Sequence, residues 1–71
     1  KYSMRIICKS NIDNVRGDIL SITINKSYYL IQEDNFGYQV TDDEGRNFWY
    51  SKEVFYTPEE TRDIILNSLI E

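Results

Sequence analysis

The sequence predicts a mainly β (α+β) fold, a small antiparallel barrel or meander carrying one C-terminal α-helix. Three observations predict it. Stretches of period two, rich in β-branched and aromatic residues, follow one another at the spacing of short hairpin-linked strands. Two acidic, glycine-bearing tetrapeptides, 34–37 and 42–45, separate the last three of these stretches. After residue 56 the period lengthens to that of a helix, behind a capping signal. At 71 residues the chain makes one domain, 1–71, with 1–56 as meander or barrel and 57–71 as the helix.

The elements follow in order. Residues 4–9 (MRIICK) alternate Met4, Ile6 and Cys8 against Arg5, Ile7 and Lys9, which predicts a strand with one buried face. Cys8 falls on that face as a small hydrophobe. Residues 10–18 collect Asn, Asp, Ser and Gly and predict a long loop, with Ile12 and Val15 tucked against the core. Residues 19–24 (ILSITI) have strand character or form a short extended segment, ending in an Asn25-Lys26 turn. Residues 27–33 (SYYLIQE) carry the strongest strand signal, with Tyr28 and Leu30 on one face and Tyr29 and Ile31 on the other. A strand apolar on both faces needs two covers. Asp34-Asn35-Phe36-Gly37 then turns, residues 38–41 pair back, and Asp42-Asp43-Glu44-Gly45 turns again before residues 47–51 (NFWYS).

Thr57-Pro58-Glu59-Glu60 starts the helix by a definite mechanism. The Thr57 hydroxyl accepts from the Glu60 amide, the Glu60 carboxylate reaches back, and Pro58 occupies the first helical position. Ile65, Leu66, Leu69 and Ile70 form an apolar stripe that must lie on something. Two seats are open: the second face of the meander near Tyr29 and Ile31, or the same helix of another copy, which makes a homodimer.

Composition excludes several kinds of chemistry. The chain has no histidine and a single cysteine, which removes Ser-His-Asp and Cys-His pairs, histidine-ligated zinc and an intrachain disulfide. Its three glycines stand singly in turns, so there is no glycine-rich phosphate loop. The Asp42, Asp43 and Glu44 cluster lacks the alternating acids and distal Glu of an EF-hand loop, so a solvated turn is the plainer reading. Neither cofactor nor metal is expected, and the chain is read as a non-enzyme. Eight Lys and Arg against twelve Asp and Glu give a net charge of −4, and the cations are scattered, which disfavours nucleic acid as a ligand. No apolar run is long enough to span a bilayer. A lone cysteine without a secretory signal fits a reducing cytoplasm. Ten Ile, six Asn and no Ala suggest an AT-rich genome such as that of a low-GC bacterium or its phage.

Lys26, Tyr28 and Leu30, then Asp42, Asp43 and Gly45, then Trp49-Tyr50, and finally Lys52, Glu53 and Phe55 resemble the pattern of small bacterial and phage proteins with a Src-homology-3-like barrel. The likeness covers residues 20–55. It implies a barrel whose last strand is followed by a short turn of helix closed by an aromatic residue. Ser51 stands where the family usually has proline, and the closing strand is replaced or shortened by Tyr56 and the capped helix. The Ala-Leu-Tyr-Asp-Tyr and Pro-Ser-Asn-Tyr stretches of proline-peptide-binding domains are absent, so that recognition is not implied.

Recognition chemistry is left over. Ten aromatic residues, from Tyr2 to Tyr56, exceed what the interior of a small barrel holds. Phe36, at a turn tip, and Trp49 are the expected partner contacts. Glu33 and Asp34 at one hairpin end, and Asp42, Asp43 and Glu44 at the other, supply an acidic rim able to imitate spaced phosphates. The expected activity is therefore protein binding: a phage-encoded module covering a functional surface of a larger host protein. A basic DNA-binding surface such as a replication sliding clamp suits the acids. The alternatives are a single-stranded nucleic-acid-binding barrel and a homodimeric structural protein.

Overall fold

The computed structural model describes residues 4–13 and 15–70, with side chains as far as residue 67. Tyr2 of the aromatic set and the Leu69 and Ile70 side chains of the helical stripe lie outside the described residues. Strands β1 (Arg5–Ile7), β2 (Ser27–Glu33), β3 (Gly37–Thr41) and β4 (Asn47–Ser51) lie side by side in chain order, each antiparallel to the next. A single 3₁₀ turn (Lys52–Val54) and helix α1 (Pro58–Ile70) follow. The predicted meander and C-terminal helix are both present.

Both hairpin turns form for local reasons. Asp34 accepts from the Phe36 and Gly37 amides at 2.8 and 2.9 Å, an Asx turn that reverses the chain. In the next turn the Gly45 amide reaches the Asp42 carbonyl at 3.0 Å and the Asp42 amide reaches the Arg46 carbonyl at 2.8 Å. Gly45 sits at φ +81°, which glycine adopts without cost, so the hairpin closes with a bulge of the glycine type.

Beyond the 3₁₀ turn the chain returns to β1. The Lys9 amide donates to Val54 at 2.8 Å, the Tyr56 amide donates to Ile7 at 2.9 Å, and Cys8 faces Phe55 in an isolated antiparallel bridge. Strand β1 is thereby paired on both edges, with β2 on one side and this short return on the other. The ladder then continues through a side chain, because the Thr61 hydroxyl accepts from the Ile7 amide at 3.1 Å. Thr61 is buried, and α1 packs against β1. The capping box forms as predicted, with Thr57 and Glu60 exchanging bonds at 3.0 Å in each direction.

The core lies on one face of the sheet. Register places Ile6 beside Tyr28, Leu30 beside Val40, and Tyr38 beside Tyr50. Phe55 sits among three tyrosine rings, with centroids 5.8 Å from Tyr28 and 6.2 Å from Tyr38 and Tyr50, all steeply inclined. Such edge-to-face pairs add about 0.5–1.5 kcal/mol each beyond the area they bury. Ile22 and Val54 complete the cluster, and Cys8 is buried in it with its thiol donating to the Ser10 carbonyl at 3.2 Å. Burial pushes that thiol's pKa upward.

Residues 19–24 take the second of the two expected forms, with no strand, one bridge from Ile19 to Ile12, and the Asn25 turn at their end. Several details depart from expectation. Ile12 and Val15 are exposed, because Asp13 binds the Val15 and Arg16 amides and turns that loop outward, leaving Ile22 and Leu20 to reach the core. Ile7 is buried although it alternates with Ile6, since the return strand and α1 cover it, while Met4 is exposed. The helix does not cover Tyr29 and Ile31. Both stay exposed, and α1 is seated on β1 through Thr61 with Ile65 and Leu66 largely open to solvent.

Candidate functional site

The acids of the β3–β4 turn are spent on the fold. Asp42 is buried, and its Oδ1 accepts from the Glu44 and Arg46 amides at 3.0 Å each. Its Oδ2 accepts from the Tyr50 hydroxyl at 2.8 Å and the Arg46 guanidinium at 3.2 Å. Burial by itself raises the pKa of this carboxyl, but the Arg46 amide, the Tyr50 hydroxyl and the Glu44 amide outweigh it and hold it below the ordinary range. The same bond, after burial, drives the Tyr50 hydroxyl pKa up.

Asp43 does parallel work for residues 23–28. It accepts from Lys26 Nζ at 2.7 Å, from the Thr23 hydroxyl at 2.7 Å and from the Tyr28 hydroxyl at 2.9 Å. Lys26 first, then Thr23 and Tyr28, bring its pKa down to about 2. Glu44 accepts from the Ser21 hydroxyl at 2.6 Å and pairs with Arg46 at 3.5 Å. One acidic turn thus terminates two core tyrosines and ties down residues 21–26. Asp42 has no surface to offer a partner; this corrects its place in the acidic rim.

The opposite end of the sheet is different. Phe36 stands 83% exposed at the β2–β3 tip, and Trp49 is 41% exposed on β4. Gly37 lets β3 and β4 approach closely at this end, since a Cβ there would lie 2.5 Å from the Tyr50 carbonyl oxygen. Asp34, Phe36, Gly37, Trp49 and Ser51 line a shallow cleft of about 340 Å³. Glu33 is on the same hairpin but pairs with Lys52 at 3.2 Å, and that ammonium also lies 5.2 Å from the Tyr38 ring centre. The structure therefore brings Asp34, Phe36 and Trp49 together, with Glu33 behind them, and sets Asp42, Asp43 and Glu44 at the far end of β3.

Sequence reasoning missed half of this surface. On the other side of Trp49 a second cleft, about 230 Å³, runs between β4 and the loop, with Asp13, Val15, Leu20, Phe48 and Glu53 among its walls. Val15 is 92% exposed at its margin, and Phe48 is exposed although it shares the Tyr50 face of the strand. An apolar residue inside a run of turn formers was the available signal. Its outward direction was fixed by Asp13, whose amide bonds cannot be read from periodicity.

Among the described residues no His, Cys, Asp or Glu side chains group in a way that could hold a metal ion, and no helix is long and apolar enough to cross a membrane. Comparison with family models, curated proteins and solved structures gives no significant match to this chain.

Proposed function

We propose that the chain is a non-catalytic protein-binding module that acts by covering a functional surface of a larger protein. The observation that carries this reading is the aromatic ridge: Phe36 and Trp49 exposed beside two clefts, on strands held by Asp34, Gly37 and the tyrosine core. Large rigid side chains presented by an ordered scaffold lose little entropy on binding and make strong anchors. The acids play a narrower part than spaced-phosphate mimicry requires. Asp42, Asp43 and Glu44 are matched by Lys26 and Arg46, so net negative charge steers association while the ridge supplies affinity.

The Src-homology-3-like reading is supported by the meander order, the 3₁₀ turn after β4 and the return of Phe55 to β1. A phage source and a host target, including a basic clamp-like surface, are supported by composition and by that resemblance alone. The test is comparative capture from a low-GC bacterial lysate by the native chain and by Phe36→Asp, with both melting curves recorded. A stoichiometric protein retained by the first and lost by the equally stable second supports the module; equal retention, or no stoichiometric protein, overturns it.

A nucleic-acid reading has one observation in its favour. Arg5 lies 4.6 Å over the exposed Tyr29 ring on the face turned away from the core, which also bears Trp49, a pairing suited to stacking on single-stranded bases. Binding to oligonucleotides at low salt that weakens steeply as salt rises would favour it.

A further inference from the structure

We infer that strand β4 is a docking edge for an extended, basic segment of the partner, added to the sheet as a further strand. The inference deepens the protein-binding reading and rests on it. Along an antiparallel pair, residues alternate between those that bond to the neighbouring strand and those that face away. The Asp42–Arg46 and Phe36–Lys52 backbone bonds bracket the β3–β4 ladder, so Phe48 and Tyr50 bond to β3 and Asn47, Trp49 and Ser51 turn their amides and carbonyls outward. Among the described residues nothing is recorded bonding to those outward groups. The opposite limit of the sheet is closed, since β1 is met by the returning chain, and among the described residues β4 is the edge left open. An unpaired edge is a template for strand addition.

The edge also has walls. On one side lies the cleft bounded by Val15, Leu20 and Phe48, and on the other the cleft between Trp49 and Phe36. A strand laid against β4 sends alternate side chains into these two apolar clefts. The charged residues lining them are Asp13 and Glu53 in one and Asp34 in the other, with no Lys or Arg in either. That charge selects a segment whose apolar residues alternate and are flanked by Lys or Arg. A second copy fits less well, because its β4, Asn47–Ser51, carries no Lys or Arg to meet the acids that line the clefts.

Selection of the full chain against a displayed random-peptide library, followed by amide hydrogen exchange with the enriched peptide, tests the proposal. Enriched peptides are expected to carry apolar residues flanked by Lys or Arg and to slow exchange at Asn47, Trp49 and Ser51 by about tenfold or more at saturation. Asn47→Pro removes an outward amide and no ladder bond, and should weaken the same peptides about tenfold. Enrichment of acidic or proline-rich peptides, protection confined to other amides, or no enrichment overturns the proposal. So does a concentration-dependent dimer of the chain that protects these amides, which would give the edge to a second copy. If Phe36→Asp abolishes capture while Asn47→Pro leaves it intact and the edge amides stay unprotected, the module reading stands and the edge proposal alone falls. The exchange measurement on the unmodified chain decides the matter even if Asn47→Pro fails to fold.

Discussion

Replacing Asp42 by alanine should cost this domain a large part of its stability although the residue lies in a surface hairpin. The carboxylate is buried and accepts four hydrogen bonds, from two turn amides, the Tyr50 hydroxyl and Arg46. Removing it leaves the Tyr50 hydroxyl buried without a partner, at about 1–3 kcal/mol, and withdraws the acceptor that shapes the turn. Arg46 is half exposed and finds water, so its loss adds little. The sum is about 3–4 kcal/mol, against the roughly 4–10 kcal/mol expected for 71 residues. Asp42→Asn keeps the acceptor for the two amides but turns an amino group toward Arg46, and should cost about half as much. Urea unfolding followed by circular dichroism measures both, and melting should fall by about 12–25 °C for the alanine variant. The Asp42→Ala and Tyr50→Phe double-mutant cycle should show coupling of about 1 kcal/mol or more. A loss below about 1 kcal/mol for Asp42→Ala, or strict additivity with Tyr50→Phe, would refute this account of the turn.

Two further outcomes follow from the same geometry. Asp43 has a pKa near 2 when folded, below its ordinary value, so its contribution is complete above about pH 4 and drains away as pH falls toward 2. With solvent screening at this partly exposed group the loss is about 1 kcal/mol, and it should vanish in Asp43→Asn. The buried Tyr28, Tyr38 and Tyr50 have raised values, so stability should decline again above about pH 10, and with no histidine the urea midpoint should be level from about pH 5 to 8. A midpoint indifferent to acid, or highest below pH 4, contradicts the assignment. Thr61→Val, isosteric with the native side chain, should cost about 1–3 kcal/mol by stranding the Ile7 amide, and Thr61→Ser should recover most of it. Equal stability of the valine variant would show that α1 is held by something else.

Local chemistry made the hairpins and the helix start legible. Asp34-Asn35-Phe36-Gly37, Asp42-Asp43-Glu44-Gly45 and Thr57-Pro58-Glu59-Glu60 each satisfy their own backbone groups within a few residues, so their sequences suffice. The destination of Asp42 and Asp43 was not legible, because an acidic tetrapeptide looks the same whether it faces water or receives hydroxyls from Tyr50 and Tyr28, which lie on strands outside the turn. The seat of the helix was hidden for a similar reason. The apolar stripe at Ile65 and Leu66 suggested a broad hydrophobic dock, whereas the attachment is a threonine hydroxyl completing a strand ladder. Phe36 was placed correctly on the surface, since a turn tip has nothing beside it, but Val15 was not, since an apolar residue in a loop is usually drawn inward.

The meeting of Cys8 with Phe55 joins residues far apart in the chain. Strand β1 precedes the other strands in the chain, yet one of its edges is completed only by residues 54–56, and the Ile7 amide is satisfied only by Thr61. The three tyrosine rings likewise pack on Phe55. Contacts this distant in sequence carry a loop-closure cost that must be met before the packing rewards it, which slows folding. Residues 55–61 supply both the ring at the centre of the core and the second neighbour of β1, so the two ends of the domain depend on each other for their stability.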